Sequence, residues 1–141
     1  YAEAMVNAYG DITFTNEKCG ISALQAVNQV RGRDGVKMPA LSETLSPADF
    51  LKRLKNERRV ELAFEGHRFW DLRRWGLGTT VLNGTHMKGV KPTKVGDSFE
   101  YQLVDCDGGS TRVYLEKYNR FPVPLEELQQ NTSCEQFDEW K

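Results

Sequence analysis

The sequence predicts a mainly α-helical chain: helix pairs over residues 1–76, then long loops and a small β-hairpin over 77–141. Three observations predict it. Apolar residues recur at helical spacing through residue 75, interrupted by Gly10, Gly32, Gly35, Gly66 and Gly76. After Gly76 that spacing disappears, and Gly and Thr become frequent. Within the second half, Phe99–Val104 and Thr111–Leu115 alternate in the manner of strands.

Residues 1–9 read as helix, with Gly10 in the usual place of a C-terminal glycine. The chain opens Tyr1-Ala2-Glu3-Ala4-Met5, helix formers without initiator Met or N-cap. This reads as a chain cut inside a helix, so as a piece of a larger protein; a mature terminus left by processing is the alternative. Residues 11–16 are a polar connection. Residues 17–31 read as a second helix with a stripe of Ala23, Ala26, Val27 and Val30, small enough for close helix–helix approach. Two helices with a short link make an αα-hairpin, the unit of helical repeat proteins, although no second copy occurs here.

Residues 36–45 are loop. Ser46-Pro47-Ala48-Asp49 then marks a helix start: Ser46 can cap, Pro47 suits the first helical position, and Asp49 can reach back. This helix is expected to run to about Glu65, where Gly66 ends or bends it, and a shorter one to run from His67 to Trp75. In the second half, Phe99–Val104 and Thr111–Leu115 are expected to pair around a turn at Asp107-Gly108-Gly109. Phe121-Pro122-Val123-Pro124 is extended, because each proline restrains the residue before it. Leu125–Gln130 reads as one short helical turn.

The 141 residues carry 19 Lys plus Arg against 20 Asp plus Glu, a net charge of −1. Such a balance creates no overall field for nucleic acid or an anionic membrane. The arginine-rich stretch 56–75 interleaves Arg58, Arg59, Arg68, Arg73 and Arg74 with Phe69, Trp70 and Trp75, but Glu57, Glu61, Glu65 and Asp71 reduce its excess to +1. That is too little for a phosphate track, so nucleic acid is not an expected partner. No run is apolar enough for a membrane span. Metal and cofactor motifs are lacking: His67 and His86 stand in unlike contexts, no cysteine pair has zinc-finger spacing, and no P-loop, GxGxxG or GxSxG occurs. Cys19, Cys106 and Cys134 are odd in number; free thiols and a Cys106–Cys134 bridge both remain open.

The residues richest in chemistry lie between 57 and 75. On a helical wheel of residues 46–65, Phe50, Leu51, Leu54, Leu62 and Phe64 share one broad face with Glu57, Arg58, Glu61 and Glu65, while Lys52, Lys55, Asn56 and Arg59 lie opposite. Ionisable groups facing a core need partners, since desolvating an ion costs several kcal/mol. The expectation is a structural ion-pair network of Glu57, Arg58, Glu61, Glu65, Arg68, Arg73 and Arg74, in which the arginine fork donates two bonds to a carboxylate. A glycosidase-like carboxylate pair is the catalytic alternative. No nucleophile or metal set accompanies these carboxylates, so no catalytic residue is assigned. Trp70 and Trp75 are expected in the core.

Glu57-Arg58-Arg59-Val60-Glu61-Leu62-Ala63-Phe64-Glu65-Gly66-His67-Arg68-Phe69-Trp70-Asp71-Leu72-Arg73-Arg74-Trp75-Gly76 resembles the C-terminal signature of the SusD/RagB family of outer-membrane nutrient-uptake lipoproteins. Ala23 through Gly35 resembles the family's helix upstream of that signature. Tyr118-Asn119-Arg120-Phe121-Pro122-Val123-Pro124 resembles its Phe-Pro-Ile-Pro segment, with the usual Asn at Asn131. The end departs from the pattern: Glu135–Trp140 stands where a Gln-Asn-Pro-Gly-aromatic run is usual.

The resemblance implies that residues 1–141 are the C-terminal portion of a SusD-like domain with tetratricopeptide-like helix pairs. It implies cell-surface exposure at the outer membrane through an N-terminal lipid anchor outside this chain. It also implies non-catalytic binding of glycans, or in some members peptides, for delivery to a SusC-like TonB-dependent transporter. No cofactor is implied. Sugar-stacking aromatics are sought outside the packed helices, at Tyr101, Tyr114 and Trp140. From the αα-hairpin alone, a helical-repeat protein-interaction module is the competing reading.

Overall fold

A computed structural model describes all residues except Thr85, Asp107 and Gly109. The chain divides into two compact units, Tyr1–His67 and Arg68–Lys141.

The first unit holds three helices, α1 (Ala2–Tyr9), α2 (Ala23–Gly32) and α3 (Pro47–Glu61). Gly10 ends α1 in the left-handed conformation, φ +67°, with its N–H donating to the Val6 carbonyl. In the connection that follows, the Thr13 N–H and hydroxyl both donate to Asp11 Oδ1 at 2.8 Å. These bonds hold the Asp11 carboxyl below the usual carboxylate range.

Helix α2 starts six residues later than expected. Residues 16–19 are a tight turn instead, in which Asn16 Oδ1 accepts the N–H groups of Lys18 (2.9 Å) and Cys19 (2.7 Å). A short amide side chain offers the backbone these bonds in place of helical ones. The helix begins at a reciprocal capping box: Ser22 Oγ accepts from the Gln25 N–H, and Gln25 Oε1 accepts from the Ser22 N–H.

Helix α3 starts as predicted. Ser46 Oγ accepts the Asp49 N–H at 3.1 Å, and Pro47 opens the helix. It stops four residues short of the expected end, and this corrects the wheel. Leu62 is the half-buried C-cap, and Phe64 leaves the helix altogether, fully exposed at φ +67°. Once the backbone departs from helical angles, 100° steps no longer locate a side chain.

Left-handed backbone costs a residue with a Cβ roughly 1–2 kcal/mol, and Asn bears it better than Phe. Phe64→Asn is therefore expected to stabilise the chain by about 0.5–1 kcal/mol, read as a rise in thermal midpoint. A fall would mean that the ring is packed.

All three helices and the connection after α1 feed one core of Ala2, Met5, Val6, Ile12, Ala23, Leu24, Val27 and Phe50. The loop before α3 is clasped by Asn28, whose side chain donates to the Leu41 carbonyl (3.1 Å) and accepts the Leu41 N–H (2.7 Å).

The second unit contains α4 (His67–Arg74) apart from its first residue, α5 (Gly78–Val81), strands β1 (Lys88–Val95) and β2 (Ser98–Asp105), and α6 (Leu125–Gln130). Two short 3₁₀ turns, Glu116–Asn119 and Asp138–Trp140, complete it. Helices α4 and α6 lie where the sequence predicts them; α5 is additional.

The hairpin is present with a different partner. Strand β2 covers the expected Phe99–Val104, but it pairs antiparallel with β1 upstream, from Val95↔Ser98 to Lys88↔Asp105. A two-residue loop, Gly96-Asp97, joins the strands. Gly96 has φ +61°, the sign that type II′ hairpin loops take at their first position. Pro92 is tolerated within β1 because in a two-stranded sheet both strands are edges.

Thr111–Leu115 forms no strand. It runs beside the end of α5, where the Gly84 N–H donates to the Arg112 carbonyl (2.8 Å) and the Tyr114 N–H to Asn83 Oδ1 (3.3 Å). Of the turn expected at 107–109, Asp107 and Gly109 lie outside the described residues.

Candidate functional site

In the first unit the carboxylates of α3 meet arginines at the end of α2. Glu57 Oε2 pairs with Arg31 Nη1, and the side chains are only 22% and 12% exposed. One turn on, Glu61 pairs with Arg33 Nη2, at 2.7 Å to Oε1 and 2.9 Å to Oε2, on a more open surface with side chains 37% and 43% exposed. Arg31 is fixed further by Nε donating to the Pro39 carbonyl at 2.8 Å. The partners named by position in sequence were Arg58, Arg68, Arg73 and Arg74. Glu57 and Glu61 pair with Arg31 and Arg33, two arginines outside that set.

Arg58 lines a mainly apolar cleft of about 310 Å³ together with Ala26, Val27, Val30, Leu54, Glu57 and Glu61. Glu65 and His67 are exposed, 3.9 Å apart.

In the second unit, Arg74 Nε donates to Oδ1 of the buried Asp71 at 2.9 Å, and its guanidinium lies 4.6 Å from the Trp75 ring centre. Arg73 stands among rings instead of carboxylates: its guanidinium carbon is 3.9 Å from the centre of Phe121, 5.3 Å from Phe69 and 5.7 Å from Trp70. Cation–π attraction thus ties the Phe121 segment to α4. Trp70, expected in the core, is more than half exposed at the edge of this cluster, and Trp75 is half-buried. Arg68 lines a groove of about 470 Å³ with Phe69, Leu72, Leu82, Arg112 and Tyr114.

The three aromatics sought as sugar platforms are not brought together. Tyr114 is buried at 6% exposure, its hydroxyl 3.0 Å from Asn119 Oδ1. Its ring fills the space beside Gly78, where an added Cβ would stand 2.3 Å from the ring. At 6% exposure it touches the groove beside Arg68 only at its edge and leaves little face for a sugar to stack on. Trp140 is half-buried, donating from Nε1 to the Arg120 carbonyl at 3.0 Å, with Tyr118 and Lys117 against its ring. Tyr101 stands open on the hairpin at 70% exposure. Phe99, two residues before it on the same strand face, carried the same alternation signal and was not singled out.

Cys19, Cys106 and Cys134 are free thiols. Among the described residues, no group of three His, Cys, Asp or Glu side chains is placed to hold a metal ion. No helix formed by them is long and apolar enough to cross a membrane.

Both units are mainly helical, the first held by arginine–carboxylate pairs and the second by arginine–aromatic contacts, and the second carries one hairpin. The SusD family model matches residues 1–140, and the chain belongs to that family. The SusD-like protein BF3747 of Bacteroides fragilis superposes with a TM-score of 0.72 at 30% identity, over 96% of this chain and 22% of that one. BT4246 superposes with a TM-score of 0.63 at 26% identity, again over 96% of this chain and 22% of the other. The chain thus spans about a fifth of the length of these solved relatives. No curated protein matches it.

Proposed function

We propose that this chain is the C-terminal portion of a non-catalytic glycan-binding protein, exposed at the cell surface on an outer-membrane lipid anchor. That protein delivers oligosaccharides to a SusC-like TonB-dependent transporter. The observation carrying this reading is the SusD family match over residues 1–140. Two features of the chain agree with it. Glu57 and Glu61 are occupied by arginine partners, as scaffold carboxylates are and as a general acid awaiting substrate need not be. Exposed aromatic rings supply the flat apolar faces that sugar rings stack against.

Titration calorimetry of the complete protein against a panel of neutral oligosaccharides is expected to give saturable heats, with no new reducing ends after prolonged incubation. New reducing ends would overturn the non-catalytic reading. Saturable binding of peptides, with no response to any sugar, would replace glycan by peptide as the cargo.

A further inference from the structure

Residues 120–124 lie outside every helix and strand, and among the described residues no strand pairs with them. Pro122 and Pro124 leave Phe121 and Val123 as the only N–H donors between Arg120 and Leu125. A side chain meets the Val123 backbone instead. The Gln136 amide accepts the Val123 N–H at Oε1 (3.0 Å) and donates from Nε2 to the Val123 carbonyl (3.1 Å), the two bonds a neighbouring strand would exchange. The same Oε1 accepts the Phe137 N–H at 3.0 Å, which fixes the amide, and both Gln136 and Val123 are half-buried. Four residues on, the Trp140 indole holds the Arg120 carbonyl. The guanidinium of Arg120 is gripped as well, with Nη1 3.4 Å from Glu139 Oε1 and its carbon 4.5 Å from the centre of the Phe137 ring.

These meetings run antiparallel, residue 123 with 136 and residue 120 with 140. We infer that residues 136–140 are a strap that closes over residues 117–123 as one piece and, by closing, holds Phe121 against Arg73. Phe121 stands between the two anchored backbone positions, and Pro122 fixes the torsion that follows it. Anchoring Arg120 and Val123 therefore sets the direction in which the Phe121 ring leaves the chain, onto the Arg73 guanidinium at 3.9 Å and edge-on to Trp70 at 5.7 Å.

Entropy makes the strap one piece. Taken singly, each contact is weak. Arg120 and Glu139 are 59% and 38% exposed, so their attraction is screened by water. A neutral hydrogen bond offsets only part of the order it imposes. Joining Val123 to Gln136 closes a loop between residues 13 positions apart, and that closure is unfavourable before any bond forms. Once Gln136 has docked, the loop is already closed, and the Trp140 bond, four residues on, adds to it at little further loss of freedom. The converse holds when Trp140 docks first. Removing either end thus loosens the other.

Hydrogen exchange of the full-length protein, read by mass spectrometry on peptides spanning 117–123 and 136–140, tests this. Gln136→Ala is expected to speed exchange about tenfold in both stretches, because the Val123 N–H loses its cover and the strap its anchor. Trp140→Phe keeps a ring and removes the indole donor. It should speed both stretches about threefold, although Trp140 makes no bond to Val123. Coupling is reciprocal, so Phe121→Leu, which leaves every bond of the strap in place, should also speed exchange at 136–140. Thr132→Ala, outside the strap, should change neither stretch. Peptides from residues 1–67 should exchange at the wild-type rate in all four variants.

Wild-type exchange at 117–123 in Gln136→Ala would overturn the strap, since something else would then hold that segment. A Trp140→Phe effect confined to 138–140 would overturn its closing as one piece. Wild-type exchange at 136–140 in Phe121→Leu would overturn the link to Arg73. A speed-up spread evenly over every peptide, residues 1–67 included, would make Gln136 a determinant of overall stability and overturn the strap.

Discussion

Phe50→Ala is expected to remove about 3–5 kcal/mol of folding stability, the largest loss from any single truncation in the first unit. Phe50 has no exposed surface, and it is the one full aromatic ring in a core otherwise built from Ala2, Met5, Val6, Ile12, Ala23, Leu24 and Val27. Three helices converge on it, so removing the ring leaves a void bordered by all of them. The alanines have nothing to extend into that void and the β-branched valines and isoleucine are held near one χ1 setting, whereas Met5 and Leu24 can shift part of the way in. The lost transfer energy is therefore joined by a cavity that is only partly relieved. Urea unfolding with the m-value held constant measures it. Phe64→Ala, which strips an equally large ring from a fully exposed position, should cost almost nothing beside it. A Phe50→Ala loss below about 1 kcal/mol would mean that the three helices do not share this core.

The contrast between those two phenylalanines also shows what a sequence of this kind discloses. Elements bounded by local chemistry were legible: Gly10 after α1, Ser46-Pro47 before α3, Gly76 after α4. Each signal lies within a few residues of the event it controls. The start of α2 was legible in the same way, as Ser22 followed by Gln25 at capping-box spacing, but apolar periodicity carried the expected helix past it.

The hairpin shows the opposite limit. Strand β2 announces itself by alternation. Its partner reads Lys-Gly-Val-Lys-Pro-Thr-Lys-Val, rich in charge and broken by proline, and nothing in those residues marks a strand. Only the two-residue Gly96-Asp97 loop betrays the pairing, as the shortest connection available.

The candidate site divides likewise. That Glu57 and Glu61 share a stripe follows from their spacing along one helix. That Arg31 and Arg33 face them is tertiary, joining residues 26 and 28 positions apart, which no spacing within α3 discloses. The interleaving of Arg73 with Phe69 and Trp70 is visible in the sequence, whereas its contact with a more distant ring is not. Its rings come partly from Phe121, a segment that no helical wheel includes.

Glu57→Gln is expected to cost about 2 kcal/mol, and Glu61→Gln no more than about 0.5 kcal/mol, although the two carboxylates are one helical turn apart and both are bound by arginine. The difference is solvent. Around Glu57 both partners keep a quarter or less of their side-chain surface in water, so the charge left on Arg31 cannot recover its hydration. The loss stays below the 3–5 kcal/mol of a fully buried pair because Glu57 is not sealed and Arg31 keeps its bond to the Pro39 carbonyl. At Glu61 both side chains are more than a third exposed, and water replaces the lost partner at little cost.

Salt separates the two cases. The Glu61→Gln effect should vanish in about 1 M salt, where screening acts within roughly 3 Å, while the Glu57→Gln effect should largely persist. A double-mutant cycle joining Glu57→Gln with Arg31→Met completes the argument. Removing both charges should be milder than the sum of the single losses, with a coupling of about 1–2 kcal/mol, because no uncompensated ion then remains. Strict additivity would show that the two side chains do not act on each other. Equal losses at Glu57 and Glu61 would show that burial does not set the scale here.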